Sequence, residues 1–309
     1  MSLPDSSLVS IVIPTYDRAR LVTRAIDSAR SQTYPQIEII VVDDGSTDNT
    51  AAVLQTYPAH PGIRVIRHDE NRGATAAKNT GLDAVRGAFA TILDSDDELV
   101  PHAVGSLMDA FGRLGKDVGM VFANCLDPAT GEWTGKGLTE SGYVTFRDAV
   151  TARFRGEFWG IWRTSALGGR RFDPRLPGGR ESIVWHDMYR TTRVFYLHEA
   201  LRRYYRGSDD SVSRLNLEPA NLERVRLTYE VYLERFGEDI AALDRGAYAR
   251  QVQEIALWHI LAGERLRGVR RLMEAVRYSA SPRDLARAAA IAAAPRALLR
   301  WAVTRRRRR

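Results

Sequence analysis

The sequence of 309 residues predicts an α/β fold, in which helices flank a mostly parallel β-sheet, followed by a helical C-terminal region. Short β-branched runs alternate with segments of helical periodicity from residue 9 to residue 124. Such alternation is typical of parallel strands that are connected by helices. From residue 218 onward the sequence is almost purely helical and is rich in arginine, leucine and alanine. These two patterns divide the chain into an α/β part and a helical part.

Strands and helices of the α/β part are predicted from apolar runs, helical spacing and capping residues. The predicted strands cover residues 9–14, 37–42, 63–66, 89–93 and 118–124. The predicted helices cover residues 21–32, 47–54, 73–85 and 101–114. After residue 127 glycine and tryptophan become frequent, and two further strands are predicted at residues 194–197 and 201–205.

The domain boundary is predicted near residue 215, where the strand signals end. We expect residues 1–215 to form the α/β domain and residues 216–309 to form the helical region. Two or three amphipathic helices are expected between residues 218 and 277, because apolar side chains such as Leu222, Val225 and Tyr229 recur at helical spacing.

Composition excludes several classes of protein. The formal net charge is +7, but residues 305–309 supply five of the positive charges, and without them the chain would carry +2. The rest of the chain is therefore not broadly basic, and no nucleic-acid partner is expected. Cys125 is the only cysteine, which excludes an intrachain disulfide and a cysteine-based zinc site. Because no signal peptide and no long apolar run is visible, we expect a cytoplasmic protein.

Polar residues follow three of the predicted parallel strands, at the edge of the sheet where ligands bind in such folds. The second strand is followed by Asp43 and Asp44 rather than by a G-x-G-x-x-G turn, and no G-K-[ST] loop occurs. Two interpretations of these aspartates stay open. In one, Asp44 accepts hydrogen bonds from a nucleotide base that lies against Tyr16. In the other, both aspartates cap a turn and a helix start.

Asp94 and Asp96 supply the strongest chemical signal, since they lie one residue apart directly after an apolar strand. Carboxylate oxygens suit Mg²⁺ or Mn²⁺, ions that usually keep waters and ligand phosphates among their ligands. Such an ion would offset the charge on a departing diphosphate. The alternative is an acidic turn in which Asp97 or Glu98 favours the N-terminus of the next helix.

Four motifs, taken together and in this order, resemble family 2 glycosyltransferases of the GT-A fold, a Rossmann-like architecture. The motifs are SIVIPTY at residues 10–16, VVDDGSTD at 41–48, NRG at 71–73 with KNxG at 78–81, and LDSDD at 93–97. The resemblance implies an inverting, hexosyltransferase-like enzyme of polysaccharide biosynthesis. Its substrates would be a nucleotide-sugar donor, most often a UDP-sugar, and a hydroxyl of a glycan or lipid-linked acceptor.

The resemblance also implies roles for residues around the donor. Thr15, Tyr16 and Asp44 would surround the nucleotide base, which is most often uracil in this family. Arg72 and Lys78 would approach the donor, with Lys78 near the diphosphate. In the motif at residues 93–97, Asp94 would lie near the ribose or the sugar, and Asp96 would bind the divalent metal, Mn²⁺ or Mg²⁺, through the diphosphate.

The base is harder to place. An inverting enzyme needs one carboxylate to take the proton from the acceptor hydroxyl. The family often has a Glu-Asp pair upstream of a Tyr-Arg pair, which here is Tyr205-Arg206. At that spacing Glu181 matches the first acid, but Ser182 stands where the second acid, usually the base, is expected. We therefore expect Glu181 to be the base, with Asp187 as the second candidate.

The last residues, 286–309, combine an alanine-rich stretch with Leu298, Leu299, Trp301 and the terminal arginines. Such a segment would suit a surface helix on anionic lipid, at the inner face of the cell membrane. In that case the acceptor would be lipid-linked. The alternative is a helix that packs on the protein and has a solvated basic end.

Two other functions compete with glycosyl transfer. A haloacid-dehalogenase-type phosphatase also has an apolar strand followed by D-x-D, but it has Thr or Val where this chain has Glu98. Its motif also lies near the start of the chain rather than on a fourth strand. The second alternative is a non-catalytic domain that binds sugar-nucleotides or glycans. Only one observation favours it, namely the serine at position 182.

Overall fold

The structure is a computed structural model that describes residues 7–57, 62–176, 181–205, 219–279 and 281–307. The chain forms two compact units, one with the β-sheet and one that consists of helices from residue 219 onward. The predicted boundary near residue 215 falls outside the described residues and stays a prediction. Arg206, of the Tyr-Arg pair, also lies outside them.

The first unit is built on a sheet of nine strands among the described residues. The strands are β1 (Val9–Thr15), β2 (Ile37–Asp43), β3 (Ile63–Arg67), β4 (Phe89–Ile92), β5 (Glu98–Leu99), β6 (Val118–Leu126), β7 (Gly142–Val144), β8 (Phe158–Arg163) and β9 (Arg193–Arg203). Their order is β3-β2-β1-β4-β8-β6-β9-β5, and β7 also pairs with β9. The first four strands along the chain are parallel, whereas β5, β7 and β8 run antiparallel to their neighbours.

Helices cover both faces of this sheet. They are α1 (Val22–Arg30), α2 (Thr50–Gln55), α3 (Ala74–Asp83), α4 (Ala103–Arg113), α5 (Phe146–Val150), α6 (Thr164–Leu167) and α7 (Ser182–Thr191). Ile11 and Ile13 of β1 belong to an apolar cluster with α1 and α4, while Val12 belongs to a second cluster with α3 and α7. Successive strand residues point to opposite faces, so both faces of the central strands are buried. The predicted α/β sheet flanked by helices is confirmed.

The two strands predicted at residues 194–197 and 201–205 are a single strand, so that prediction was wrong. The polar residues His198 and Glu199 separate two apolar runs, but β9 continues through them. Its register with β6 shifts next to Ala123 and Asn124, as in a β-bulge, which bends a strand without ending it. Neither the strands β5, β7 and β8 nor the helices α5, α6 and α7 were predicted. Apart from α7, these elements are only two to six residues long, which is too short to show a clear period.

The second unit consists of helices in its described part. They are α8 (Pro219–Leu243), α9 (Arg245–Ala262), α10 (Arg265–Tyr278), α11 (Pro282–Ala293) and α12 (Arg296–Arg307). Helix α9 lies at the centre, packs against the other four and is buried on most sides. Such burial is expected for α9, because its sequence is apolar around most of the helix circumference. The predicted helical C-terminal region is confirmed. Among the described residues no helix is long and apolar enough to cross a lipid bilayer.

Gly45, between β2 and α2, has a backbone that approaches another segment closely. Its φ is +72°, and a Cβ atom there would lie 2.5 Å from the carbonyl carbon of Glu70. Gly131 has the same φ of +72°, but no described atom lies within 4 Å of a Cβ built on it. The two glycines therefore differ in contact and not in conformation.

We expect Gly45→Ala to lower the free energy of unfolding by about 1 to 3 kcal/mol more than Gly131→Ala does. Both substitutions place alanine at the same unfavourable φ, so the difference reports the clash with the backbone of Glu70. Urea unfolding of the two full-length variants measures it. Equal losses in both variants would contradict the close approach of this loop.

Candidate active site

Several elements bring polar residues to one edge of the sheet. The parallel neighbours β1, β2 and β4 end there, at Thr15, Asp43 and Ile92. Strand β8 runs antiparallel to β4, so it begins at this edge, directly after Glu157. Strand β9 is parallel to β6 and has Arg202 close to its end. This is the edge at which the sequence predicted the ligand site.

The loop after β1 is bonded to the loop after β2. The backbone N–H of Asp44 donates to the carbonyl of Thr15 (2.9 Å), and the N–H of Asp17 donates to Ser46 Oγ (3.0 Å). Thr15 Oγ1 is buried and has no hydrogen-bond partner among the described residues, while Tyr16 is partly exposed. A buried hydroxyl without a partner beside an accessible ring is suited to binding a polar ligand.

The carboxylate of Asp44 is buried and anchors the turn before α3. It accepts hydrogen bonds from the N–H groups of Arg72 (3.0 Å) and Gly73 (2.7 Å), and His68 Nδ1 lies 2.6 Å away. On its other side, His68 Nε2 is 2.9 Å from Thr80 Oγ1. Asp44 therefore fixes the turn that presents the exposed side chain of Arg72. Its role at a nucleotide base stays a prediction.

Asp43 shows the capping role that was the alternative for this pair. Its Oδ1 accepts a hydrogen bond from the N–H of Ser46 (3.0 Å), which closes the turn after β2. Its Oδ2 pairs with Arg67 Nη1 (2.8 Å) on the neighbouring strand. The two aspartates thus bind different segments, and together they hold this loop in one conformation.

Lys78 of α3 joins two acids from distant parts of the sequence. Its Nζ lies 3.0 Å from Asp94 Oδ1 and also contacts Glu181 Oε1. Burial by itself would lower the pKa of Lys78, but the charges of Asp94 and Glu181 raise it well above its usual range. Burial likewise favours the neutral form of Asp94, yet Lys78 and Arg202 hold its pKa down, at about 2. Lys78 and Asp94 are therefore both charged at neutral pH.

Asp96 lies beside two arginines. Its Oδ2 is 2.5 Å from Arg18 Nη1, and its backbone carbonyl accepts a hydrogen bond from Arg24. The guanidinium of Arg24 also lies over the ring of Tyr205, 3.6 Å from its centroid. No group of three His, Cys, Asp or Glu side chains in the described parts of the chain is arranged to hold a metal ion. The oxygen donors of Asp94 and Asp96 nevertheless fit a hard cation whose other ligands are waters and phosphates.

A buried guanidinium, that of Arg202, connects the acids beneath the edge. Its Nη1 lies 3.6 Å from Asp94 Oδ2 and 3.4 Å from Asp97 Oδ2, and its Nη2 lies 3.5 Å from Glu157 Oε2. Its Nε donates to Cys125 Sγ (3.3 Å). Burial raises the pKa of Asp97 to about 7; Arg202 opposes this shift and the charge of Asp94 adds to it. Arg202 therefore offsets the repulsion between carboxylates that lie close together.

Neither Arg202 nor Glu157 was predicted from the sequence. Glu157 is half-exposed at the edge, and burial raises its pKa against the opposing charge of Arg202, with further increases from Asp94 and Glu181. The aromatic run of β8 was the missed signal, because recognition of this strand would have placed Glu157 at its start. For Arg202 the missed signal was its position next to the apolar residues Ala200 and Leu201 near the end of β9, where a basic side chain is unusual.

The two candidate bases differ in their positions relative to α7. Glu181 precedes the helix, is half-exposed and contacts Lys78. Asp187 is buried inside the helix, about 9 Å farther along its axis at 1.5 Å per residue. Its carbonyl accepts a hydrogen bond from Thr191 Oγ1 (3.0 Å). Ser182, which replaces the usual second acid, is the first residue of the helix.

The family model described as glycosyl transferase family 2 matches residues 10–166, just over half of the chain. The chain belongs to glycosyl transferase family 2. The predicted family is confirmed, and the protein is a glycosyltransferase. The alternative of a haloacid-dehalogenase-type phosphatase is therefore wrong, because the D-x-D run belongs to the motif set of another family.

Curated relatives agree with this assignment, and a solved structure shares the fold. The GalNAc(5)-diNAcBac-PP-undecaprenol beta-1,3-glucosyltransferase of Campylobacter jejuni is 34% identical over 231 residues, which cover 73% of this chain and 71% of the relative. The glycosyltransferase YibD of Escherichia coli, whose function is uncharacterized, is 28% identical and covers 67% and 64% of the two chains. The crystal structure of S. aureus TarS 1-349 in complex with UDP-GlcNAc shares the fold, with a TM-score of 0.63 at 19% identity, covering 88% and 81%.

The raised pKa of Asp97 predicts a pH-dependent loss of stability. In the unfolded chain this carboxyl ionises near pH 4, so between about pH 4 and pH 7 only the folded state holds the proton. Stability due to this group therefore falls as the pH rises through that range. We expect Asp97→Asn to gain stability relative to the native protein, by up to about 4 kcal/mol between pH 4 and pH 8.

Thermal unfolding of the full-length proteins in EDTA, at several pH values, measures this difference. Asp109→Asn is the matched control, since Asp109 is exposed on α4. A difference between Asp97→Asn and the native protein that stays constant with pH would contradict the prediction.

Proposed function

We propose that this glycosyltransferase moves a sugar, with inversion, from a UDP-sugar to a hydroxyl of a glycan or lipid-linked acceptor. The observation that supports the proposal is the contact of Lys78 with both Asp94 and Glu181, at the edge where β1, β2 and β4 end. The name of the Campylobacter relative suggests an undecaprenol-linked acceptor. The S. aureus protein forms a complex with UDP-GlcNAc, which suggests a UDP-sugar donor.

The donor is proposed to bind across the ends of β1 and β2. Thr15 and Tyr16 offer a hydroxyl without a partner and an accessible ring to the base, and Asp44 fixes the loop beside them. Arg72 and Lys78 are the cations that would approach the diphosphate. Hydrogen bonds between charged partners are roughly twice as strong as neutral ones, so these two side chains would contribute most of the attraction for the phosphates.

A divalent metal, Mn²⁺ or Mg²⁺, is proposed to bind at Asp96 together with the diphosphate, with Asp94 close to the ribose or the sugar. When bound, the ion supplies positive charge that offsets the charge on the departing diphosphate. Arg18 contacts the Asp96 carboxylate and orients it. The closely spaced acids of this edge also favour a cation.

In the reaction the acceptor oxygen attacks the anomeric carbon of the donor sugar. The bond from that carbon to the diphosphate breaks, and its electron pair leaves with the nucleotide diphosphate. The hydroxyl proton passes to a carboxylate oxygen. We propose Glu181 as this base, because it is accessible and is held next to Asp94 by Lys78. Asp187 is the second candidate.

We further propose a peripheral contact of residues 286–309 with an anionic membrane, at the inner face of the cell membrane. Helix α12 exposes 52% of Leu298 and 55% of Trp301, whereas Leu299 is buried. Arginines flank these apolar side chains, as in helices that lie on anionic lipid. Such a contact would bring the protein to the surface on which a lipid-linked acceptor is found.

Binding of UDP with Mn²⁺ is expected to raise the melting temperature of the full-length protein. A ligand that binds only the folded state stabilises it by about 2.7 kcal/mol at one hundred times its Kd. A thermal-shift comparison of UDP, GDP, dTDP and CMP, with and without Mn²⁺, identifies the nucleotide. Asp96→Asn should lose the Mn²⁺-dependent part of the shift, and the control Asp109→Asn should keep it. The proposal fails if none of the nucleotides raises the melting temperature.

Glu181→Gln is expected to lower kcat by a factor of about 100 to 10,000, because the amide cannot take the acceptor proton. The UDP-dependent thermal shift should change little, since the donor still binds. Release of UDP from UDP-glucose, with an undecaprenyl-diphosphate-linked N-acetylgalactosamine acceptor, measures kcat. Asp187→Asn is the comparison variant. Full activity of Glu181→Gln together with a loss in a folded Asp187→Asn would transfer the role to Asp187.

A further inference from the structure

One face of helix α10 packs tightly inside the second unit. Gly268, Leu272 and Ala275 on this face are buried. A Cβ atom at Gly268 would lie 2.5 Å from Ile260 Cγ1 of helix α9, so the two helices are in close contact here. This contact fixes the rotation of α10 about its own axis, and it determines which side chains point away from α9.

The opposite face of α10 shows an outer stripe that consists of Leu266, Arg270, Met273 and Arg277. These residues are spaced by four, three and four positions, which places them along one side of a helix. Leu266 is 81% exposed and Met273 is 56% exposed, and both arginines are exposed as well. Val276, also exposed, lies at the margin of the stripe. Large apolar side chains and arginines therefore alternate on a surface that the described residues of this unit leave open.

The charge around the outer stripe is strongly positive. Residues 265–309 contain fourteen arginines and only two acidic residues, a formal charge of +12, whereas the rest of the chain carries −5. Two other arginines of α10 form ion pairs, Arg267 with Glu264 (2.9 Å) and Arg271 with Glu274 (2.8 Å). Neither of these two arginines belongs to the outer stripe.

We propose that the outer stripe of α10 is a membrane-contact surface, which lies on anionic phospholipid with its leucine and methionine in the interfacial region. Helices with apolar side chains and arginines on the exposed side bind such surfaces through apolar burial and attraction to lipid headgroups. A nucleic acid would account for the arginines but leave the exposed leucine and methionine unexplained. A second copy of the stripe would bring positive charges together.

This surface goes beyond the contact proposed for residues 286–309. It lies on a different helix, and its apolar side chains are exposed independently of Leu298 and Trp301. The inference requires neither the arginines at the end of the chain nor a particular donor or acceptor. Its test is therefore separate from the tests of glycosyl transfer.

Flotation of the full-length protein with vesicles of equimolar phosphatidylcholine and phosphatidylglycerol tests the inference. The double variant Leu266→Asp with Met273→Asp should bind these vesicles at least about tenfold more weakly than the native protein, because it loses apolar burial and adds negative charge. Arg270→Gln with Arg277→Gln should also bind these vesicles about tenfold more weakly. This second loss should be confined to vesicles that contain phosphatidylglycerol and should be absent with vesicles of phosphatidylcholine alone. Both pairs of sites are exposed, and circular dichroism verifies folding.

Two further variants make the result specific. Val65→Asp replaces an exposed apolar residue of β3 in the first unit and should bind as the native protein does. Leu298→Asp with Trp301→Asp tests the contact of residues 286–309. Native-like binding of both α10 variants overturns the inference, and loss in the α12 variant alone would then support the other contact. If the α10 variants change only self-association in sedimentation, the stripe binds a second copy and the membrane inference is wrong.

Discussion

Compensation of negative charge at one edge of the sheet is the constraint on which the rest of the site depends. Five carboxylates gather there, and three cations offset them. The acids are Asp94, Asp96, Asp97, Glu157 and Glu181, and the cations are Arg18, Lys78 and Arg202. Like charges in a partly buried site repel strongly, so this cluster exists only if the cations are held beside it. Each cation comes from a different element, namely the loop after β1, helix α3 and strand β9. The site is therefore formed by the completed fold.

The three cations do not fully compensate the negative charge of the five acids, and this affects which ligands the edge can bind. Burial is the main reason that the pKa values of Asp97 and Glu157 are raised, but the charge of Asp94 adds to both shifts although Arg202 lies between the two acids. A cation that arrives together with a diphosphate would reduce the remaining repulsion between these acids. For Lys78 the charged form is favoured, because Asp94 and Glu181 outweigh the effect of burial and raise its pKa. A donor phosphate at Lys78 would compete with Asp94 and Glu181 for the same ammonium. Binding of the donor would thus change the surroundings of the proposed base.

Local motifs in the sequence predicted the parallel half of this fold and the acids that follow β2 and β4. The runs that end in Asp44 and Asp94 are short, apolar and followed directly by acids, so both the strand and the acid can be read from a few adjacent residues. The ion pairs of Lys78 and Arg202 depend on tertiary pairing. Lys78 and Glu181 are 103 residues apart. The partners of Arg202 come from the loop after β4, from β6 and from the residue before β8, and no local pattern contains that information. The single strand β9 was predicted as two for the same reason, because its continuity depends on a bulge against β6.

The surroundings of Cys125 affect how this protein can be studied. The thiol is buried in β6 and accepts a hydrogen bond from Arg202, and burial raises its pKa to about 11. The thiolate is the form that attacks alkylating reagents, so a shielded and protonated thiol reacts slowly with them. The native chain therefore serves as a nearly unreactive background for maleimide chemistry. A second cysteine placed at an exposed position, such as that of Tyr143, would accept a fluorophore or a spin label while Cys125 stays in place.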